Sequence, residues 1–164
     1  MAHHGYMSIV GKHQGLISAG CSSLDSIGNR CQSAHLDKIL VLSFSHNLSN
    51  VDNTQYATHR PIVLIKHVDK ATPLLAQALA RRERVNCEFD FYRTSRSGNQ
   101  ERYFSIQLWG GVIVDQRMEM PHSVLFNDQD SQEQLAISYT DINWTHHIAA
   151  TTGSASWTNS PWIE

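Results

Sequence analysis

Histidine and cysteine are the residues of this sequence with the most potential for chemistry. Ten histidines occur in 164 residues, and Cys21, Cys31 and His35 lie in one polar stretch. A Cys₂His zinc site would need these three side chains and a fourth ligand, and their spacing matches no standard zinc module. Unpaired loop thiols are therefore the favoured interpretation. A small cytosolic metal-binding or hydrolytic protein that uses Cys21, Cys31 and His35 is the alternative.

Other candidate ligands also favour a structural interpretation. His146 and His147 are adjacent at a predicted strand end, so we expect their side chains to point to opposite faces and not to share a metal. The sequence at residues 127–130 lacks the glycine and the bidentate glutamate of a calcium loop. Cys87 belongs to the apolar face of a predicted strand, where a buried and inert thiol is expected.

Motifs for catalysis and cofactor binding are missing from the sequence. Ser22 and Ser23 lie in no nucleophile elbow, and there is no phosphate-binding glycine loop and no dinucleotide fingerprint. Glu88 and Asp90 alternate with apolar residues, so we expect them to face solvent on a strand. We therefore predict no catalytic, cofactor-binding or metal-binding residue, and a protein that is not an enzyme.

Composition is that of an ordinary globular chain. Apolar residues make up 41% and charged residues 17%, and the formal net charge of −2 gives no basic field for nucleic acid. No apolar run is long enough for a membrane helix, so we predict no membrane insertion. The first residues show no signal-peptide pattern, and the three cysteines argue against a disulfide framework. We expect a chain that is made and folded in the cytoplasm.

Period-two alternation predicts a sheet. Residues 85–92 and 103–109 alternate apolar and polar side chains and flank a turn at residues 94–100, which predicts an antiparallel hairpin. Gly110 and Gly111 interrupt the second strand and predict a bulge or a sharp bend. Further strands are predicted at residues 6–10, 15–18, 39–44, 62–68, 135–139 and 142–144, with a bulge near Asp141.

One helix is predicted at about residues 73–82. Thr72 is a good N-cap, Pro73 suits the first helical position, and Arg81 suits the last turn. The apolar stripe of this helix consists of Leu74, Leu75, Ala78 and Leu79.

Two long polar connections, at residues 19–34 and 46–61, complete the chain. Loops of this length are often functional or ordered by a partner, and the exposed edges of a curved sheet need covering. These features favour assembly with other protein chains over catalysis.

Four blocks of sequence carry a resemblance to a known family. The stretch QGLISAGCSSLDSIGNRCQSAH at residues 14–35 resembles the Hcp proteins of enterobacterial type VI secretion systems. Further blocks agree in order: VDKATPLL at 68–75, DFYRTS at 90–95 and YTDINWTHHIA at 139–149. The likeness extends from about residue 6 to residue 157. Residues 108–114 depart from the family pattern by being more apolar and by containing the double glycine.

The resemblance implies a mainly β fold, a β-barrel of two antiparallel sheets flanked by one short helix. It implies a single tube domain over residues 1–164 without a C-terminal toxin extension. It also implies a homo-hexameric ring that stacks into the inner tube of the type VI apparatus, with a contractile sheath around the tube and a spike protein at its tip. Effector proteins would be carried in the lumen, and the tube would be assembled in the bacterial cytoplasm and secreted by the machine itself.

Overall fold

β-Strands make up about half of the residues that the structure describes. The computed structural model describes residues 3–28 and 33–157. Its helices are α1 (Leu24–Ile27) and α2 (Thr72–Arg81), and a 3₁₀ turn covers Ser33–His35. The strands are β1 (His4–Gly11), β2 (Gly15–Leu16), β3 (Ile39–Ser45), β4 (Leu48–Ser49), β5 (Thr58–His59), β6 (Ile62–His67), β7 (Val85–Thr94), β8 (Gln100–Glu119), β9 (Gln132–Ser138), β10 (Asp141–His146) and β11 (Thr151–Ser156).

The principal sheet closes on itself. Its strands follow the order β11-β10-β8-β7-β1-β3-β6-β9, and β9 also pairs with β8. Six strands, β8-β7-β1-β3-β6-β9, therefore form a ring, and every pairing among the described strands is antiparallel. Strands β10 and β11 extend this sheet, whereas β4 and β5 form a separate two-stranded sheet. The predicted mainly β, antiparallel fold is confirmed.

Apolar side chains from the strands and from α2 fill the interior. Strand β7 contributes Val85, Cys87 and Phe89, all at most 4% exposed, as its alternation predicts. Burial at this level supplies the main favourable free energy of such a fold. The other core residues include Met7, Ile9, Ile39, Ile62, Leu64, Leu75, Ala78, Ile106, Leu108, Ile113, Leu135, Ile137 and Ile142.

The longest strand, β8, bends at its glycine pair. Val85 of β7 faces Gly111 and Cys87 faces Leu108, so the register shifts by one residue between them. Gly110 has a φ of 61°, a left-handed conformation that favours glycine. The predicted bulge is confirmed. The strand that pairs with β8 changes at the same level. Strand β10 pairs with residues 104–109 of β8, and β9 pairs with residues 112–119.

Helix α2 begins at Thr72 and ends at Arg81, within one residue of the prediction. Ala71 occupies the N-cap, so the prediction that Thr72 caps the helix is wrong. The Thr72 hydroxyl instead accepts a hydrogen bond from the Asp69 amide at 3.0 Å and closes the turn before the helix. Arg82 ends the helix in the left-handed conformation, with a φ of 53°.

The two long connections contain short elements. Helix α1 and the 3₁₀ turn lie in the first, and β4 and β5 lie in the second. A one-turn helix such as α1 was not predicted because four residues carry no usable periodicity. Of the helices in the described part of the chain, none has the length and apolarity required to cross a bilayer.

Candidate functional site

The residues of the alternative metal site lie in different settings. Cys21 is 1% exposed, its Sγ lies 3.7 Å from the Ile17 carbonyl oxygen, and burial raises the pKa of its thiol to about 12. His35 stacks on the ring of Tyr6 with the centroids 4.0 Å apart, and burial lowers its pKa. Cys31 lies outside the described residues. Among those residues, no three His, Cys, Asp or Glu side chains are grouped to hold a metal ion, so this alternative gains no support.

The adjacent histidines His146 and His147 have separate partners. The ring of His146 contacts that of Tyr103, and its Nδ1 accepts a hydrogen bond from the Ala149 amide at 3.0 Å. The Nε2 of His147 lies 2.7 Å from the Ser105 hydroxyl. Both rings therefore fix the end of β10 and the turn that follows it.

Asp90 is a buried charge. Its side chain is 3% exposed, so the prediction that it faces solvent is wrong. Ser105 donates to Oδ1 at 2.8 Å, Lys38 Nζ lies 2.8 Å from Oδ2, and Arg102 lies 3.5 Å from Oδ1. Paired cations and a hydroxyl replace the water that the carboxylate loses. Alternation placed Asp90 on the polar face of β7, but long side chains from the neighbouring segments cover that face.

Serine, histidine and aspartate thus meet without forming a hydrolytic triad. In a triad the imidazole stands between the nucleophile and the carboxylate. Here Ser105 stands in the middle, and its single hydroxyl proton is given to Asp90 rather than to His147. Ser105 is also only 4% exposed. The arrangement joins three segments of the fold and does not activate a nucleophile.

A second buried charge cluster ties α2 to the sheet. Lys66 is 0% exposed, and its ammonium contacts Asp69 Oδ1 at 2.9 Å and also Glu133. Thr72 lies 3.4 Å from the same nitrogen, and Gln116 donates to Glu133 Oε2 at 3.0 Å. Burial raises the pKa of Asp69, and the Lys66 charge opposes that shift. The sequence offered one signal for this cluster, a lysine inside an apolar strand with an aspartate three residues later.

A tyrosine hydroxyl joins the two ends of the second long connection through hydrogen bonds. Tyr139 is 3% exposed, and its hydroxyl lies 2.7 Å from Nε2 of His46 and 2.8 Å from Nδ1 of His59. These histidines stand near the two ends of residues 46–61. The phenol donates to one imidazole and accepts from the other. Burial raises the pKa of Tyr139 to about 12 and lowers the pKa of both histidines, and the His59 charge adds to the shift of His46.

A concave surface lies beside this histidine–tyrosine clamp. It has a volume of about 550 Å³ and is open to solvent. Apolar groups from Trp109, Ile142 and Ala155 form part of it, and residues 55–57 of the second connection form another part. The second connection, which Tyr139 holds near both ends, can therefore present a groove to a partner.

The end of the β8–β9 hairpin exposes an unusual amount of apolar surface. Five large apolar side chains fall within nine residues and are each between 48% and 75% exposed. Exposed apolar patches are found at surfaces where proteins bind other molecules. We call it the apolar tip, and it consists of Met118, Met120, Val124, Leu125 and Phe126.

The molecule is an antiparallel β-protein, with a closed sheet around a filled core, buried polar clusters that join its strands, and exposed apolar segments. The family model described as "Type VI secretion system effector, Hcp" matches residues 6–146. The chain therefore belongs to the Hcp family, and the resemblance seen in the sequence is confirmed.

Known proteins are similar to this chain, in sequence and in structure, over nearly its whole length. The "Major exported protein" of Pseudomonas aeruginosa is 37% identical over 171 residues, covering 96% of each chain. The solved structure "Crystal structure of Hcp protein" has a TM-score of 0.89 at 31% identity and covers 97% of this chain and 100% of that one. "Secreted protein Hcp3 from Pseudomonas aeruginosa" has a TM-score of 0.85 at 38% identity, with 96% and 100% covered. The chain is thus a subunit of a type VI secretion tube, a structural and secreted protein.

Proposed function

We propose that six copies of this chain form a ring and that rings stack into the inner tube of a type VI apparatus. The contractile sheath surrounds this tube and a spike protein caps it. The observation that carries the proposal is the match to Hcp proteins over 96% or more of the chain. The apolar tip and the groove beside the clamp support it, because both leave apolar surface that assembly would cover.

The chain acts in this proposal as a wall and not as a catalyst. The polar clusters around Asp90 and Lys66 are buried and serve the fold, and Cys21 is a protonated thiol inside the core. No cofactor, nucleic acid or membrane insertion is part of the function. The tube is assembled in the bacterial cytoplasm and leaves through the machine itself.

Native mass spectrometry tests the ring. Six copies of the 18.5 kDa chain give a species of about 111 kDa. A protein that remains an 18.5 kDa monomer at high concentration contradicts the proposal.

Effector carriage in the lumen is the second part of the proposal. Residues 19–34 and 46–61 are the candidate contacts, since the second of these presents a groove whose base the clamp holds. A small effector is expected to co-purify with the ring and to be lost when the ring is dissociated. Equal binding by dissociated monomers contradicts carriage, while leaving the ring untouched.

A further inference from the structure

The two ends of strand β8 carry opposite charge. At its C-terminal end, residues 117–130 contain three carboxylates and one arginine, Arg117, whose guanidinium lies 4.0 Å from Glu119. At its N-terminal end, three arginines lie in or beside the turn from β7 and meet two carboxylates. Arg93 pairs with Glu101 at 2.9 Å, Arg102 lies 3.5 Å from Asp90, and Arg96 lies in the turn itself. Arg96 and Arg102 are exposed, as are all three carboxylates of the other end. One copy of the chain therefore offers an acidic end where the next can offer a basic one.

The acidic end also carries the apolar tip, and internal hydrogen bonds hold its shape. Nδ1 of His122 accepts from the amides of Val124 and Leu125 at 3.2 and 3.1 Å. The Phe126 amide donates to the His122 carbonyl oxygen at 2.8 Å. A tip that is already folded loses less conformational entropy when it docks.

The basic end carries an aromatic cleft. This cleft has a volume of about 140 Å³ and lies between β1, β3, β7 and β8. The guanidinium of Arg93 sits 4.8 Å from the centre of the Tyr103 ring at its margin. Its apolar lining consists of Val41, Leu42, Phe44, Phe91, Tyr92 and Tyr103.

We propose that the apolar tip of one copy docks in the aromatic cleft of a second copy, head to tail, and that this contact joins successive rings. One apolar side chain of the tip, that of Leu125, enters the cleft and the others cover its rim, while Glu119, Asp128 and Asp130 face the arginines around it. Tip and cleft lie at opposite ends of β8, so the contact is heterologous, and a heterologous contact between successive rings continues along the stack without closing. The inference rests on the proposed function, because it assigns the stacking contact of that tube.

The groove beside the clamp is a poorer partner for the tip. Its lining contains the carboxylate of Asp141 and neither arginine nor lysine. The acidic flanks of the tip would meet no compensating charge there, and like charges brought together are unfavourable.

A disulfide ladder tests the contact. In a Cys31→Ser background, Leu42→Cys and Leu125→Cys place thiols in the cleft and on the tip, at side chains that are 43% and 72% exposed. After mild oxidation of assembled protein, a denaturing non-reducing gel is expected to show a ladder that continues beyond six copies. Each single-cysteine variant serves as a control and is expected to give no ladder.

The outcomes separate this inference from the proposed function. A ladder that stops at six copies places the contact within one ring and overturns the inference, as does the absence of cross-links in protein whose rings are present by native mass. Protein that forms no rings overturns the proposed function and the stacking contact with it.

A charge reversal gives an independent check. Asp128→Arg and Arg96→Asp are each expected to abolish stacking while leaving single rings of about 111 kDa. The two changes combined in one chain restore the pair and are expected to restore stacks in a sedimentation assay. Stacking that is unchanged in both single variants overturns the inference.

Discussion

The Tyr139 hydroxyl shows how one atom can fix a long loop. It joins His46 and His59, which lie 93 and 80 residues away in sequence, at 2.7 and 2.8 Å. Its own backbone carbonyl accepts a hydrogen bond from the Trp157 indole. The second connection is therefore anchored near both ends to the residue that directly follows β9, and its middle can form a surface.

Removal of that hydroxyl is expected to destabilise the fold modestly. Tyr139→Phe leaves the two imidazoles without their shared partner, and we expect a loss of about 1 to 2 kcal/mol in the free energy of unfolding. Hydrogen exchange at residues 47–58 should rise, because the loop loses its clamp. Tyr103→Phe is the matched control, and equal effects of both changes in denaturant melts would contradict the clamp.

The same clamp predicts loss of stability in acid. His46 and His59 have lowered pKa values in the folded state, mainly through burial, against an ordinary value of 6.5. The unfolded chain therefore binds protons first as the pH falls. The two neutral histidines stabilise the fold fully at a pH above 6.5, the histidine pKa in the unfolded chain. This stabilisation is lost as the pH falls from 6.5 through their lower pKa values in the folded chain.

Unfolding free energies measured from about pH 7.5 to pH 5 check this direction. The double variant His46→Gln, His59→Asn keeps a polar atom near each bonding nitrogen but cannot titrate. Its stability is expected to fall less steeply with acid than that of the unchanged chain. If the unfolding free energy of the variant falls with pH as steeply as that of the unchanged chain, groups other than these two histidines cause the loss of stability in acid.

At the scale of elements, the bend in β8 determines where the sheet closes. A Cβ at Gly111 would lie 2.8 Å from the Val85 carbonyl oxygen, and one at Gly110 would lie 2.7 Å from Thr140 Oγ1. Gly110 also has a positive φ. Only glycine fits at both positions without displacing β7 or the link between β9 and β10.

Alanine at either glycine is expected to destabilise the chain by more than about 1 kcal/mol. Gly111→Ala should have the larger effect, because its new methyl group meets backbone rather than a side chain. Gly153→Ala is the control, since its nearest neighbour lies 4.0 Å away. Thermal melts would refute the role of the bend if all three variants behaved alike.

The Lys66 cluster holds the start of α2 against β6 and β9. Lys66→Met leaves Asp69 and Glu133 buried without a cation, and we expect a loss of about 3 to 5 kcal/mol. Asp69→Asn keeps an oxygen that can accept from the ammonium, so its cost should be under about 2 kcal/mol. Equal losses in urea titrations of the two variants would contradict the central role of the cation.

Local pattern predicted those parts of the fold that depend on near neighbours. The hairpin of β7 and β8, the glycine bend and helix α2 all follow from alternation, turn residues and helix signals within a few residues. The charge clusters and the clamp could not be predicted in this way. Asp90 meets Lys38 across 52 residues and Tyr139 meets His46 across 93, and single-sequence periodicity carries no information on such pairs.

At the scale of the whole molecule, the chain has the features of one subunit of a larger assembly. Its core is complete, yet the apolar tip, the aromatic cleft and the groove beside the clamp remain exposed in a single copy. The acidic end of β8 in one copy and the basic end in the next then orient successive rings head to tail.

Electron microscopy of the purified protein tests the central claim most directly. The account predicts ring-shaped particles whose class averages show six equal subunits around an open centre, together with short stacks at high concentration. Fields of small particles the size of one 18.5 kDa chain, at concentrations where Hcp rings should form, would contradict it.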